Sequence, residues 1–428
     1  LDELNGDVIA LVVDLLDSRT AARSLAATCK RLREHVLPVL YRDSRMLVRP
    51  RPNRPSPRIF QQHPLGTPAL SAYVRSLVIE DSCPRLGSER YMMDDEVGEP
   101  SLCDSLDLHR AFNTFVSSLP QICSITFTAD LETYHGLSYD TIRRVLTIPT
   151  LRHFTLERLH FSPLPTRMRG GTDLSPLSTF NYHKVYPFQP GMHQSESQAL
   201  SFTLSRVHKT LETLRLMGAS APVDALRDLD WPRLTTLVLH ADPPTGDIPH
   251  AAKLFTNMPN LRVLALNLQR RAERAPERAP IWPPGHSGPF PWPKLERLVV
   301  ACPNARDEVY AHLPPTLREL ALRYWKLVWC TDGADRDTYH GTSTTLDILR
   351  RCNVPTLERL EIEYVAENKR AAPGDAAGIE EDAISREESV LLGSLATAFP
   401  RLEWLTLLRH DDPPELGNRP QDIPTVRT

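Results

Sequence analysis

A short motif with one proline and four apolar positions recurs along most of the chain, and it limits the possible folds more than any other feature. The motif reads apolar-Pro-x-Leu-x-x-Leu-x-Leu. Nearly complete copies lie at 119–127, 148–156, 231–239, 258–266, 292–300, 354–362 and 399–407. Looser copies lie at 74–79, 177–182, 211–216 and 317–322. Recurrence of this kind indicates a protein built from repeated supersecondary units.

The physical chemistry of the motif predicts one strand and one helix per unit. Proline cannot continue a helix, so it ends the preceding helix and begins an extended segment. Leu-x-Leu then alternates between two faces, as in a strand. Helical patterns precede the strands at Ser105–Leu119, Tyr139–Ile148, Ser197–His208, His250–Met258, Thr345–Cys352 and Glu388–Phe399. The sequence therefore predicts an α/β fold, an irregular leucine-rich-repeat solenoid of about eleven strand–helix units.

A separate helical pattern occupies the segment from Leu4 to Tyr41. One helix is predicted to begin at Asn5 as N-cap, with Leu4 and Ile9 as a hydrophobic staple and Asp7 in the first turn. Its apolar residues at helical spacing are Val8, Val12, Leu15 and Leu16. A second apolar stripe comprises Ala22, Leu25, Ala26, Cys29 and Leu32, and Pro38 is expected to open a third helix that ends near Tyr41. About forty residues cannot bury a good core alone, so a partner is expected to cover part of it.

This segment resembles the F-box that opens many fungal F-box proteins, in which Leu-Pro-x-Glu-Leu/Ile precedes Val-Cys-Lys/Arg-x-Trp/Arg and a closing Leu-Tyr/Phe-Arg. The matching positions here are Leu4, Asn5, Asp7 and Val8, then 27–31 (Ala-Thr-Cys-Lys-Arg), then 40–42 (Leu-Tyr-Arg). Asn5 stands where the family usually has proline, and Leu32 replaces the usual aromatic residue. The repeats likewise resemble those of F-box/leucine-rich-repeat proteins.

The resemblance implies a small all-α F-box module that docks a Skp-type adaptor and, through it, a cullin–RING ubiquitin ligase. The residues expected to face the adaptor or to support that surface are Leu4, Asn5, Val8, Ile9, Val12, Leu15, Leu25, Cys29 and Leu40. The chain would then be the substrate-recognition subunit of an SCF-type ligase, a non-catalytic receptor that holds its target near the ubiquitin-conjugating enzyme.

Composition shifts divide the chain into four segments: an F-box module at 1–45, an Arg/Pro-rich linker at 46–70, the solenoid at 71–412 and a Pro-rich tail at 413–428. Insertions are predicted at Pro163–Gln194, Gln269–Pro291, Trp329–Gly341 and Glu367–Arg386. Disorder is favoured for Gln269–Pro291 and for the acidic Glu367–Arg386, because long loops in compact domains are usually either functional or disordered.

Target recognition is expected on the concave side of the solenoid, where side chains between the strand leucines point away from the core. These residues are Arg215, Met217, His240, Asn267, Arg323, Trp325, Glu361, Glu363 and Arg409. Mixed charge with exposed aromatic groups is typical of protein recognition, and Trp325 is the strongest candidate among them.

Several other classes of function are not expected. Lys and Arg number 50 against 53 Asp and Glu, so no strong field favours nucleic acid, and no run of eighteen apolar residues predicts a membrane span. The 7 cysteines are scattered without C-x-x-C, which favours reduced thiols in the cytoplasm or nucleus and no zinc site. No catalytic or phosphate-binding motif is present, so neither cofactor nor metal is expected.

Two alternatives remain open at this point. One is an adaptor-bound scaffold that acts outside the ligase. The other is a ligand-sensing receptor, like the plant hormone receptors of similar architecture, with a pocket roofed by Pro163–Gln194. An enzyme is the least supported class.

Overall fold

Strands that begin just after the motif proline form the framework of the protein. The computed structural model describes residues 5–16, 18–48, 60, 63–81, 109–129, 136–161, 164, 173–183, 190–244, 250–268, 280–324, 340–366, 386–410 and 426–427. The chain divides into two compact units, Leu1–Leu211 (unit 1) and Glu212–Thr428 (unit 2).

Unit 1 contains a helical amino-terminal segment and a parallel sheet. Its helices are α1 (Gly6–Asp14), α2 (Arg19–Thr28), α3 (Lys30–Arg42), α4 (Pro68–Ser71), α5 (His109–Ser117), α6 (Tyr139–Leu146) and α7 (Pro190–Val207). Its strands are β1 (Asp43–Val48), β2 (Ser76–Asp81), β3 (Ser124–Ala129), β4 (Gly136–Leu137), β5 (His153–Glu157), β6 (His160–Phe161) and β7 (Thr179–His183). Strands β1, β2, β3, β5 and β7 pair in parallel and in chain order, whereas β4 pairs only with β6.

Unit 2 also contains a parallel sheet with helices between its strands. Its helices are α8 (Val223–Asp228), α9 (Ala251–Leu254), α10 (Thr342–Arg351) and α11 (Arg386–Ala398). Its strands are β8 (Thr213–Met217), β9 (Thr236–Ala241), β10 (Val263–Leu268), β11 (Arg297–Ala301), β12 (Glu319–Arg323), β13 (Arg359–Val365), β14 (Trp404–His410) and β15 (Val426–Arg427). Strands β8 to β14 are parallel and in chain order, and β15 is antiparallel to β14.

The motif leucines form the core because the strand register places them side by side. Leu237, Leu264 and Leu298 are in register on β9, β10 and β11, and each is fully buried. The apolar residue before the proline is buried too. Trp231 and Trp292 are fully buried, and their indole Nε1–H groups donate to backbone carbonyls of Leu226 (3.3 Å) and Phe255 (3.0 Å). Each tryptophan therefore ties its turn to an earlier segment of the chain.

A recurring backbone link starts the strands. In unit 2, one carbonyl oxygen accepts hydrogen bonds from two consecutive N–H groups of the next repeat; Glu212 O accepts from Thr235 (2.9 Å) and Thr236 (3.0 Å). The same link recurs at the carbonyls of Thr235, Arg262, Glu296, Arg318 and Glu358, and in unit 1 at those of Arg75, Cys123 and Arg152. Backbone groups at the strand starts are thus paired before the regular ladder begins, as buried backbone requires.

The residue after the motif proline often adds a side-chain link to the preceding repeat. Thr150 Oγ1 donates to Ile122 O (2.6 Å), Thr356 Oγ1 donates to Pro315 O (2.8 Å), and Asn260 Nδ2 donates to Pro232 O (2.7 Å). A position that looked variable in the motif therefore has a structural role.

The predicted α/β class is confirmed, and the motif strands lie parallel to one another. Three local predictions are wrong. The break between the second and third helices lies at Cys29, which adopts an extended backbone and whose Sγ accepts from Leu32 N (3.5 Å), and Pro38 lies inside α3. Strand β1 occupies residues 43–48, where the linker was expected to begin, and α7 begins at Pro190, inside the predicted insertion.

The predicted disorder of Gln269–Pro291 is also wrong for residues 280–291. Ile281 and Trp282 are buried there, and their N–H groups donate to the Asp307 carboxylate at 2.6 and 2.9 Å. This carboxylate also accepts from Val309 N (3.1 Å), so it caps the 3₁₀ helix Glu308–Ala311. Prolines and glycines suggested a loose loop, but one buried acid anchors part of it.

Replacing Asp307 with alanine is expected to destabilise unit 2, because three buried N–H donors would lose their acceptor. The free energy of unfolding should fall by about 3 kcal/mol or more, measured by urea denaturation. Asp228→Ala is the matched control. Asp228 is exposed and pairs with Arg227, so this change should leave the free energy of unfolding nearly unchanged. Equal stability of the two variants would contradict the anchoring role.

Unit 2 is also expected to lose stability in mild acid, because His250 would become protonated. His250 is the N-cap of α9, and its Nδ1 accepts a hydrogen bond from Lys253 N (3.3 Å). Burial, and then the His286 ring 4.4 Å away, lower the pKa of His250 below the usual 6.5. The unfolded chain therefore takes up the proton first as the pH falls, so stability present above pH 6.5 declines below it. His250→Asn caps without titrating, so its melting temperature should change less between pH 7 and about pH 5.

Candidate functional site

Helix α1 exposes a continuous apolar stripe, formed by Val8, Leu11, Val12 and Leu15 and called here the α1 outer face. These side chains are 41%, 60%, 38% and 72% exposed, respectively. They follow the i, i+3, i+4, i+7 spacing of one helix face. Large apolar side chains exposed singly are ordinary, but a contiguous stripe of them marks an interaction surface.

The opposite side of α1 is fully engaged in its own core. Ile9 and Val13 are 2% and 5% exposed, and they pack in one cluster with Ala22, Ala26, Leu32 and Val36 of α2 and α3. Leu16, Leu25, Cys29, Val39 and Leu40 pack against this cluster. Helix α1 is therefore apolar on two sides, and only one of them is covered. A helix that is apolar all round is normally buried on all sides.

The start of α1 is held in place by two local features. Asn5 is the N-cap and its Oδ1 accepts from Asp7 N (3.3 Å), which confirms the predicted cap. Gly6 lies against the His35 ring of α3, where an added Cβ would come within 2.6 Å of His35 Cε1. Close approach of α1 to α3 at this point sets the direction of the α1 outer face.

The structure separates the predicted adaptor residues into two groups. Val8, Val12 and Leu15 are exposed, whereas Ile9 is buried and Leu25, Cys29 and Leu40 are half-buried supports of the core. Asn5 is exposed as the cap, and Leu4 lies outside the described residues. Leu11 was missed by the sequence analysis. Its spacing from Val8 and Leu15 was the available signal.

A second candidate surface is the face of the unit 2 sheet opposite to the leucine core. Val238, Ala265, Val299 and Ala321 are in register on β9 to β12 and form what is called here the apolar strip. The next row toward the strand ends contains Met217, His240 and Asn267 on β8 to β10, and Ala301 and Arg323 on β11 and β12; of these, Met217, His240 and Ala301 are buried. The strip is made of small side chains, so the middle of this face is shallow.

Charged side chains at the β12–β14 end of this face are paired with one another. Arg323 pairs with Glu361 on the neighbouring strand. Glu363 Oε1 lies 2.9 Å from His410 Nε2. The other carboxylate oxygen, Glu363 Oε2, accepts a hydrogen bond from Tyr324 N at 2.6 Å. The two glutamates that were predicted to face a target therefore also hold β12, β13 and β14 together.

Several predicted target-binding residues occupy positions that differ from the expectation. Arg215 is exposed and Asn267 is half-buried, but Met217 and His240 are only 1% and 8% exposed, so their predicted exposure is wrong. The chain is crowded just beyond them, where a Cβ on Gly218 would lie 2.3 Å from Asp242 O.

Arg409 is on the helix side of the sheet, against the prediction. Its Nε lies 3.0 Å from Glu388 Oε1 on α11, and Glu388 also accepts from the Tyr364 hydroxyl at 3.0 Å. Trp325, the strongest candidate from the sequence, lies outside the described residues.

A buried polar cluster in unit 1 joins β6, β7 and α7. His160 Nδ1 lies 2.7 Å from Glu196 Oε1, and each side chain is 2% exposed. Burial, and then the charge of Glu196, raise the pKa of the Tyr182 hydroxyl well above 10. Because the whole cluster is enclosed, it serves to tether α7 to the strands, and it does not present these groups to a substrate.

The described residues were also searched for metal-binding clusters and for membrane-spanning helices. Within the described ranges, no group of three or more His, Cys, Asp or Glu side chains is arranged to hold a metal ion. No helix of that same part of the chain combines the length and the apolar character needed to cross a bilayer.

Comparisons with known proteins do not assign the chain to a family. No protein-family model matches it, and a search of curated proteins finds no significant similarity to any of them.

Proposed function

We propose that this protein is the substrate-recognition subunit of an SCF-type cullin–RING ubiquitin ligase. In this proposal residues 1–45 form an F-box module that docks a Skp-type adaptor, and residues 71–412 form a leucine-rich-repeat solenoid that binds a target protein. The chain contributes no bond chemistry and acts in the cytoplasm or nucleus by holding the target close to the ubiquitin-conjugating enzyme.

The observation that carries the proposal is the α1 outer face. The three helices α1, α2 and α3 complete their own small core, and four large apolar side chains remain in water. Covering each of these roughly half-exposed side chains would stabilise a complex by roughly 1 kcal/mol. Together they supply the apolar centre of a specific interface, and the F-box resemblance of the same segment names an adaptor as its occupant.

The solenoid assignment is supported by the repeat links between neighbouring strands. Parallel strands follow chain order within each unit, and at most strand starts one carbonyl of the preceding repeat accepts from two consecutive N–H groups. In solenoid proteins each repeat contacts its neighbours only, and the extended sheet surface is where partners bind. The outer face of the unit 2 sheet is the surface that this proposal assigns to the target.

Val12→Asp is expected to abolish adaptor binding, because a carboxylate would be buried in an apolar interface. Recovery of a purified Skp-type adaptor in a pull-down should fall by about 100-fold, equivalent to about 3 kcal/mol. The melting temperature should hardly change, since Val12 is 38% exposed in the free chain.

Val390→Asp provides the matched control, because Val390 is a helical valine of similar exposure (43%) on α11. This variant should recover the adaptor as well as the wild type does. Equal recovery by the Val12 and Val390 variants would overturn the docking proposal. Adaptor recovery without any cullin, from a lysate that contains both, would instead indicate a scaffold acting outside the ligase.

A further inference from the structure

An open groove lies between α10 and α11, the last two helices of unit 2, and is called here the α10–α11 groove. Its volume is about 430 Å³, and most of the groups that line it are apolar. On the α10 side, Leu346 and Leu349 are 8% and 2% exposed and form the floor, and Arg350 is exposed at the rim. Clefts of this size commonly enclose part of a bound partner.

The α11 side of the groove is a helix face of mostly small side chains. Gly393, Ser394, Thr397 and Ala398 follow Val390 at the i+3, i+4, i+7 and i+8 positions of this face. Val390 is 43% exposed, and a Cβ added at Gly393 would meet no neighbouring heavy atom within 4 Å. Small side chains allow a second helix to approach closely. The groove therefore has space for a helix that brings large side chains of its own.

The α1 outer face has the length and the side chains that suit this groove. From Val8 to Leu15 it spans about 10 Å, and the α11 face spans about 12 Å from Val390 to Ala398, at a rise of about 1.5 Å per residue. The α1 outer face is uncovered in the described structure, and so is the groove. Large apolar side chains of one helix packing between those of two others is the ordinary form of helix association.

The charges of the two surfaces are opposite. Between residues 5 and 16 the chain contains Asp7 and Asp14 and no Lys or Arg, and both carboxylates are exposed beside Leu11 at helical spacing. Among the described residues that line the groove, only Arg350 is charged. It lies 3.7 Å from Asp347, and both side chains are more than half exposed, so this ion pair is weak and leaves Arg350 available to another carboxylate.

We propose that α1 of one molecule occupies the α10–α11 groove of a second copy of this chain. The α1 outer face lies over Gly393 and Thr397, and a carboxylate of α1 lies near Arg350. Because the contact joins two different surfaces, repeated association gives a head-to-tail series of copies. The interface is small, so we expect a Kd on the order of 10 µM.

Self-association of this kind hides the surface that the proposed function assigns to the adaptor. A molecule whose α1 lies in a groove cannot dock an adaptor through the same face, so the two interactions exclude each other. Accumulation of free chain therefore favours an inactive form, and an excess of adaptor reverses it. Only this consequence rests on the proposed function, because the association itself needs no adaptor.

The test is sedimentation velocity of the full chain from about 1 to about 100 µM, where the wild type should pass from monomer to larger species. Val12→Asp and Val390→Asp should each weaken the association by at least about 10-fold, because each places a carboxylate in an apolar contact. Leu392→Asp is the matched control. Leu392 is 37% exposed on α11 but does not line the groove, so this variant should associate as the wild type does.

Mixing the two defective variants identifies which surfaces meet. The Val390→Asp chain keeps an intact α1, and the Val12→Asp chain keeps an intact groove. An equimolar mixture should therefore form a 1:1 dimer and nothing larger, which would also show that both variants are folded. Arg350→Glu should weaken association of the otherwise wild-type chain by about 3-fold, because like charges would then meet.

The inference is overturned if the wild type stays monomeric throughout, if the mixture forms no dimer, or if Val390→Asp associates like the wild type, which would indicate pairing of α1 with α1. Excess purified Skp-type adaptor should dissociate the wild-type species, and its failure to do so while bound would overturn the exclusion.

The adaptor pull-down remains a separate test. It is run below about 1 µM, where the chain is mainly monomeric, so Val390→Asp stays a valid control there. Equal adaptor recovery by Val12→Asp and Val390→Asp would end the docking proposal and leave the sedimentation result unaffected.

Discussion

The structure depends on a backbone link that recurs at the strand starts, where one carbonyl oxygen accepts two consecutive N–H groups from the next repeat. This link sets the register of each strand on its neighbour. Once the register is set, the alternation of Leu-x-Leu places every motif leucine on the same side, and the core follows. A slip of one residue would turn those leucines toward water. The proline of the motif contributes by ending the preceding segment at the residue where the link must form.

The three amino-terminal helices form a buried core of their own, but this core does not cover all of their apolar surface. Ile9 and Val13 satisfy the α1–α2–α3 cluster, and the α1 outer face adds nothing to it. Selection for folding alone would favour polar residues there. The arrangement is economical for a docking module, since residues that bind a partner can differ from residues that hold the helices together.

The sequence was sufficient for the fold class and for most strands, because proline and leucine act through backbone geometry and side-chain burial, which are local. It was insufficient where long-range contacts decide. The anchoring of Trp282 by Asp307, and the placement of Arg409 against Glu388 on α11, join residues far apart in the chain. For the candidate sites, helical spacing identified Val8, Val12 and Leu15 but could not say which apolar face of α1 the core would use. The pairing of Glu361 and Glu363 with Arg323 and His410 was likewise invisible, because it requires the register of three strands.

The recurring carbonyl link has a consequence for how such a chain can change over generations. Since the linked strands are positioned at their first residues, the number of residues between one such strand and the next is free to vary without moving the sheet. The unequal spacing of the motif copies, from short turns to the long segment that follows β12, is tolerated for this reason. Segments between strands can therefore change in length and sequence during evolution while the sheet keeps its structure, and new binding specificities can arise in this way.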